Sequence, residues 1–216
     1  MWNSEKKTVL ETAIKMSDKG LVEGTAGNIS IRLGELGGKQ VLAITPTSCC
    51  YDKLSAEDIV IVNFDREIIE GELKPSIETI MHIAVYRARE KVNAIVHAHP
   101  VYCSIAAVAG LDIPPILDEQ VIYLGNGIKV ACHALPGSPE LAQNVVSALG
   151  ENNVVIMANH GALAVGGNLQ QAFSNCEIME KAAKVFIYSK LLGKTNLVPP
   201  EAVNKEIRLF RFNQMK

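Results

Sequence analysis

Three of the five histidines stand at the ends of apolar, strand-like runs, which is where open sheets present metal ligands and substrates. His97 and His99 flank Ala98 in the run Ala94-Ile95-Val96-His97-Ala98-His99, which stops at Pro100. Side chains alternate along an extended chain, so both imidazoles project from one face while Val96 and Ala98 project from the other. Two ring nitrogens on one face can share one ion. His160 follows a second apolar run, 154–157, in the same way. Three neutral imidazoles are the ligand set of a catalytic zinc site, which keeps a position free for water or substrate, whereas a closed structural site takes four ligands and more thiolate. Such a site also accepts manganese or cobalt. Taken singly, each histidine is more often a packed or solvated residue, and it is the paired arrangement that favours a metal.

Glu78 adds a carboxylate close in sequence to this strand. In the first turn of a helix it would interact with the helix dipole, worth a few tenths to about 1 kcal/mol. Beside a metal it would instead be a ligand that steps away when substrate arrives and then acts as general base. Three corners could hold an anion: Ser76 with the free N–H groups of its helix start, the bend at 24–28, and Thr45-Pro46-Thr47-Ser48. Each alone reads as a plain turn, and together they suggest phosphate. His82, one helical turn after Glu78, reads as a helix-packing residue with support of Glu78 as the alternative, His133 stands beside a strand end where a subunit interface could lie, and Cys49 and Cys50 read as packing residues beside the third corner.

The elements that must position these groups follow from periodicity. A helix is expected over 4–20, with Ser4 as cap and Val9, Leu10, Ala13 and Ile14 as its apolar side. The segment 28–32 alternates polar and apolar like a half-buried strand, 34–39 is a turn and 41–44 a second strand, giving a hairpin. A strand is expected over 59–64 after a capped turn at 55–58. A helix opens at Ser76, with Glu78 in its first turn and a stripe of Ile77, Ile80, Met81, Ala84, Val85 and Ala88. Strands at 94–99, 128–132 and 154–157 and helices at 138–149 and 168–192 complete the pattern, with a loosely specified tail from about 197. This is an α/β (α+β) chain, a single domain on a central sheet.

The 216 residues carry 21 basic and 23 acidic side chains, a net charge of −2, which disfavours nucleic acid as a partner. No apolar run approaches the roughly 20 residues that cross a bilayer, and the polar N-terminus lacks a secretory h-region, so a cytoplasmic protein without membrane contact is expected. The odd number of cysteines without CxxC spacing favours reduced thiols.

The segments GTAGNIS (24–30), ITPTSCCYDKL (44–54), KPSIETIMH (74–82), AIVHAHPVYC (94–103) and ANHGALAVG (158–166) occur in the order and spacing of the class II aldolases of the L-fuculose-1-phosphate aldolase type. The chain resembles this family over 5–195. The same family holds L-ribulose-5-phosphate 4-epimerase, methylthioribulose-1-phosphate dehydratase and the head domain of adducin. The resemblance implies a nine-stranded-type, mostly antiparallel sheet flanked by helices, a zinc ion, a sugar-phosphate substrate, and a fourfold homotetramer with active sites between subunits. It makes His97, His99 and His160 the metal ligands and Glu78 the carboxylate that ligates or acts as base. Asn28, Thr47, Ser48 and Ser76, with the backbone around Gly27 and Ile77, would hold the phosphate.

Two departures stand out. Ile77 replaces the second of a serine pair, removing one hydroxyl donor, and Ser48 replaces a glycine. Glu119 falls where the fuculose-phosphate aldolase places an acid tyrosine reaching in from a neighbouring subunit, and no tyrosine occurs in the C-terminal tail. The expected activity is cleavage of a ketose phosphate to dihydroxyacetone phosphate and an aldehyde through an enediolate. Epimerisation or dehydration on the same scaffold, and a non-catalytic adducin-like role, are the alternatives.

Overall fold

The apolar runs become strands buried on both faces. In the computed structural model, which describes residues 1–214, the elements in chain order are α1 (Asn3–Asp18), β1 (Asn28–Leu36), β2 (Lys39–Ile44), β3 (Val60–Asn63), β4 (Ile68–Glu70), α2 (Thr79–Ala88), β5 (Ala94–Ala98), α3 (Val101–Ala109), α4 (Asp118–Leu124), β6 (Val130–Ala131), α5 (Pro139–Leu149), β7 (Val154–Met157), β8 (Gly161–Gly166), α6 (Leu169–Leu191) and α7 (Pro200–Asn213). The strands form one sheet in the order β4-β3-β2-β1-β5-β8-β7-β6, antiparallel except between β6 and β7. The described residues thus hold an eight-stranded sheet where the family resemblance implied nine.

Alternation along each strand divides the core into two layers. Ile29, Val41, Ala43, Val96, Ile156 and Ala164 pack with Val9, Ala13 and Met16 of α1, Cys103 and Ala106 of α3, and Phe173, Cys176, Met179 and Ala183 of α6. Leu42, Ile44, Val62, Ile95, Val155 and Leu163 face the opposite way, against Met81, Val85 and Tyr86 of α2 and Leu141 and Val145 of α5. The β5 strand lies between β1 and β8, with Asn28 opposite His97 and Leu163 also opposite His97. The histidine strand is therefore held from both sides.

Several expectations change. The polar residues of β1 do not face water: Ser30 is fully buried and Asn28 nearly so, because α2 covers that side. The α1 helix begins at Asn3 behind Trp2, so Ser4 lies inside it and caps nothing. The hairpin turn is tighter than 34–39, since β1 continues to Leu36 and pairs with Lys39 around Gly37 and Gly38. The α2 helix begins at Thr79 with Glu78 as its N-cap residue, and the expected stripe is rotated: Ile77 and Ala88 are exposed while His82, Ile83 and Tyr86 are buried. The strand at 128–132 shortens to β6, and 94–99 ends one residue earlier, leaving His99 just beyond β5. Periodicity alone missed β4, β8, α3 and α4, and the tail from 197 is largely the helix α7. Of the cysteines, Cys103 and Cys176 are buried, Cys49 and Cys50 half-buried and Cys132 exposed, and all five are free. No helix among the described residues is long and apolar enough to cross a membrane.

The α3 helix follows the histidine strand directly, with Pro100 at its N-cap position and no side-chain cap of its own. Glu180, on α6, supplies that cap from across the core: its two carboxylate oxygens accept the N–H groups of Tyr102 and Cys103, each at 2.9 Å. Glu180→Ala should therefore lower stability by about 1.5–3 kcal/mol, read as a reduced urea midpoint at unchanged slope.

Candidate active site

The turn between β7 and β8 (158–160) brings His160 to the two histidines that β5 delivers. The three side chains offer ring nitrogens lying within 4.8 Å of one another, and their ring centroids are 4.9–5.1 Å apart. His97 Nδ1 donates to the carbonyl of Ala162 at 2.9 Å, which turns its Nε2 toward the cluster, 3.1 Å from Nε2 of His99. This carbonyl belongs to β8, and its role was invisible without the strand pairing.

Glu78 stands against the same nitrogens. Its Oε2 lies 3.0 Å from His97 Nε2 and accepts a 2.8 Å hydrogen bond from Asn28 Nδ2; its Oε1 is buried, makes no hydrogen bond, and lies 3.4 Å from His160 Nε2. Burial alone would raise this carboxyl, but the charges of His97 and His160 and the Asn28 hydrogen bond hold it well below the ordinary carboxylate range. His97 moves upward, since Glu78 outweighs its burial. Burial, reinforced by charge on His97, pushes His99 and His160 down to about 4, so both are neutral at physiological pH. Three imidazoles and a carboxylate with an unpartnered buried oxygen are a donor set that fits a divalent cation.

An open cleft of about 180 Å³ adjoins the cluster and gathers residues from six separate segments. Its walls are Thr25, Gly27, Asn28, Thr47, Ser48, Ser76, Ile77, Glu78, His99, Pro136 and His160, with no lysine or arginine. All six residues expected to hold a phosphate are present. The backbone of the 24–28 bend packs closely against the histidine strand. Gly27 has φ +73°, and a Cβ there would stand 2.6 Å from the His97 carbonyl. Ser48 takes a left-handed backbone, at φ 56°, that glycine adopts more readily. The Ser76 hydroxyl accepts the N–H of Glu78 at 3.2 Å, tying the anion corner to the carboxylate. Tyr51 steadies the bend by donating its hydroxyl to the Gly27 carbonyl at 2.7 Å, a contact that sequence reading missed. The thiol of Cys49 donates to the Thr47 carbonyl at 3.3 Å.

A family model for the class II aldolase and adducin N-terminal domain matches residues 7–187. The chain belongs to the class II aldolase and adducin family. A 5-deoxy-D-ribulose 1-phosphate aldolase of Bacillus thuringiensis serovar kurstaki is 34% identical over 206 residues, covering 95% of each chain. An L-fuculose phosphate aldolase of Escherichia coli K12 is 32% identical over 197 residues, 91% of this chain and 88% of that one. A solved structure of an L-fuculose 1-phosphate aldolase superposes with a TM-score of 0.90 at 31% identity, covering 97% of both chains.

Within this class II aldolase fold, Glu119 is the candidate that the chain does not bring to the others. It lies in the first turn of α4, where it pairs with Lys181 of α6 rather than in a loop, and it lines no part of the cleft. His133 is exposed beside α5, near enough to His160 for its charge to contribute to the lowering there. His82 is buried behind Glu78, pushed down to about 3 by burial and by His97, and is therefore neutral.

Gly161 marks how closely β8 approaches the clustered histidines, since a Cβ would lie 2.6 Å from both the Ala98 carbonyl and His99 Cδ2. Gly161→Ala must displace the His99 ring. The expected outcome is zinc affinity weakened by about tenfold or more in a chelator competition, with the fold retained by circular dichroism.

Proposed function

We propose that this protein is a zinc-dependent sugar-phosphate aldolase that reversibly cleaves a ketose 1-phosphate of the L-fuculose 1-phosphate kind to dihydroxyacetone phosphate and an aldehyde. The observation that carries the reading is the single cleft in which a carboxylate and two of the three clustered histidines meet an anion cradle made of hydroxyls and a glycine bend. The relatives named as aldolases of 5-deoxyribulose and fuculose phosphates act on compounds of this class.

His97, His99 and His160 would hold the cation, joined by Glu78 until substrate displaces it. When bound, the cation supplies a Lewis acid that stabilises negative charge developing on the ketone oxygen. Thr47, Ser48 and Ser76 side chains, Asn28, and backbone N–H groups near Gly27 and Ile77 orient the phosphate. With no cationic side chain there, binding depends on directed hydrogen bonds, each worth about 1.5–3 kcal/mol to a charged group. The missing second hydroxyl at Ile77 weakens this cradle, and the Ser48 hydroxyl compensates.

In the synthetic direction Glu78, kept ionised by its histidine neighbours, removes a proton from the hydroxymethyl carbon of dihydroxyacetone phosphate, and the C–H electron pair becomes the enediolate. That carbon then bonds to the aldehyde carbon, the carbonyl pair moves to the aldehyde oxygen, and Glu119 of a neighbouring copy protonates it. Cleavage reverses each step. This reading calls for a second copy, since Glu119 does not line the cleft of its own chain. Exposed Val101, Ile105 and Val108, at helical spacing on α3 just after His99, provide an apolar face suited to that contact in a homotetramer.

Proton–deuterium exchange at the hydroxymethyl carbon of dihydroxyacetone phosphate, followed by NMR in heavy water, should proceed with zinc-loaded protein and stop with chelator. Absence of exchange in protein that binds zinc would sink the aldolase reading in favour of epimerisation or dehydration. His97→Ala should lose both zinc and exchange. Glu78→Gln should keep zinc within about tenfold while exchange falls by about 10²-fold or more, and full exchange in that variant would remove Glu78 from the role of base.

A further inference from the structure

We infer that Ser30 and His82 are positioning residues for Glu78, the central rung of a buried polar ladder that locks β1 to α2 and sets where the carboxylate stands. The inference rests on the proposed role of Glu78 as base. On β1, residues 28, 30 and 32 share the face turned toward α2; across from them stand residues 78, 82 and 86, successive turns of one helix side. Two strand residues advance about 6.4–6.8 Å and four helical residues about 6 Å, so three rungs stay in step before the mismatch accumulates.

Each rung is visible. Asn28 Nδ2 donates to Glu78 Oε2 at 2.8 Å. The Ser30 hydroxyl bridges His82 Nδ1 at 2.7 Å and the Tyr86 hydroxyl at 2.8 Å. Arg32 closes the far end, donating to the Tyr86 and Arg89 carbonyls at 2.6 and 3.3 Å at the C-terminus of α2, with its guanidinium 4.9 Å from the Tyr86 ring centroid. The guanidinium is held in turn by the Val92 carbonyl at 3.2 Å and by Gln40 Oε1 at 2.6 Å.

A structural role alone does not explain the choice of residues. Ser30 and His82 are fully buried, the Nε2 of His82 makes no hydrogen bond, and the helix already packs through Met81, Ile83 and Val85 on the same layer. Apolar side chains here would fill the space without stranding a polar nitrogen. What they would not supply is register. Apolar contacts tolerate small slides and rotations, whereas hydrogen bonds of this length are directional and fix α2 along and about its axis. Glu78 is the N-cap residue of that helix, so its carboxylate moves with it, and β1 at Asn28 is paired with His97 itself. The ladder therefore references the base to the strand that carries the ligands.

The test compares Ser30→Ala and His82→Leu with Ser30→Thr and His82→Asn, in which a hydroxyl or a polar group near the Nδ1 position is restored. Three quantities are read: kcat and KM for deuterium exchange into dihydroxyacetone phosphate, zinc affinity of the apo-protein by chelator competition, and melting temperature. The disruptive variants should lose about 10- to 100-fold in kcat while KM and zinc affinity stay within about threefold, and the conservative variants should recover most of kcat. Should the disruptive variants not fold, Tyr86→Phe, which removes only the hydroxyl anchoring Ser30, should lower kcat by about threefold at unchanged KM. Unchanged kcat in folded Ser30→Ala or His82→Leu, or in Tyr86→Phe, overturns the ladder. So does a parallel fall of kcat, zinc affinity and melting temperature without rescue, which would mark a packing role. An inactive Glu78→Gln beside a fully active His82→Leu defeats the ladder alone; a fully active Glu78→Gln defeats the base assignment and the ladder with it.

Discussion

A carboxylate taken out of water needs partners, and most of the site exists to provide them for Glu78. Leaving a buried carboxylate unpaired costs several kcal/mol, so the position is tenable only because Asn28 donates to it and the histidines stand beside it. The same contacts keep it ionised and leave one oxygen unpartnered. Stability and the proposed chemistry thus draw on one arrangement: the groups that make burial tolerable are those that would poise the carboxylate as a base and the imidazoles as ligands.

The sheet makes this arrangement rigid. With β5 flanked by β1 and β8, His97 is anchored at its backbone by two strands and at its ring by the Ala162 carbonyl. Helices cover both faces, so the polar residues of β1 and the histidine strand are excluded from solvent by α2. His99 and His160 lie just past strand ends, where the backbone leaves the sheet, and the glycine at 161 lets the two turns approach without a side chain between them. The clustered histidines are therefore tied to a central strand of the sheet while the cleft beside them stays open.

The anion cradle follows a different logic. It lacks a cationic side chain and relies on hydroxyls, an amide and backbone N–H groups presented by three bends. Such groups bind through direction rather than through charge, which demands a fixed backbone, and Tyr51, the Ser76 hydroxyl and the left-handed residues Gly27 and Ser48 all act to fix it.

Much of the site was legible from the sequence because its parts obey local rules. Strand alternation places His97 and His99 on one face wherever the strand lies, and the order of the five motifs identifies the family and points to the histidines and corners that the fold gathers around one cleft. Long periodic helices such as α5 and α6, and their caps Ser138 and Asn168, were equally plain. What escaped depended on contacts between distant segments. The alternation of β1 looked like a strand with one wet face, but α2 buries the polar side, and only that packing turns Ser30, Arg32 and His82 from solvated or neutral choices into a ladder. Short elements such as β4, β8 and α4 carry too few residues for a periodic signal, so tertiary pairing decides them. Glu119 is the sharpest case: its position in the chain can be counted, but its place in the first turn of α4, paired with Lys181 of α6, is set by how those two helices pack.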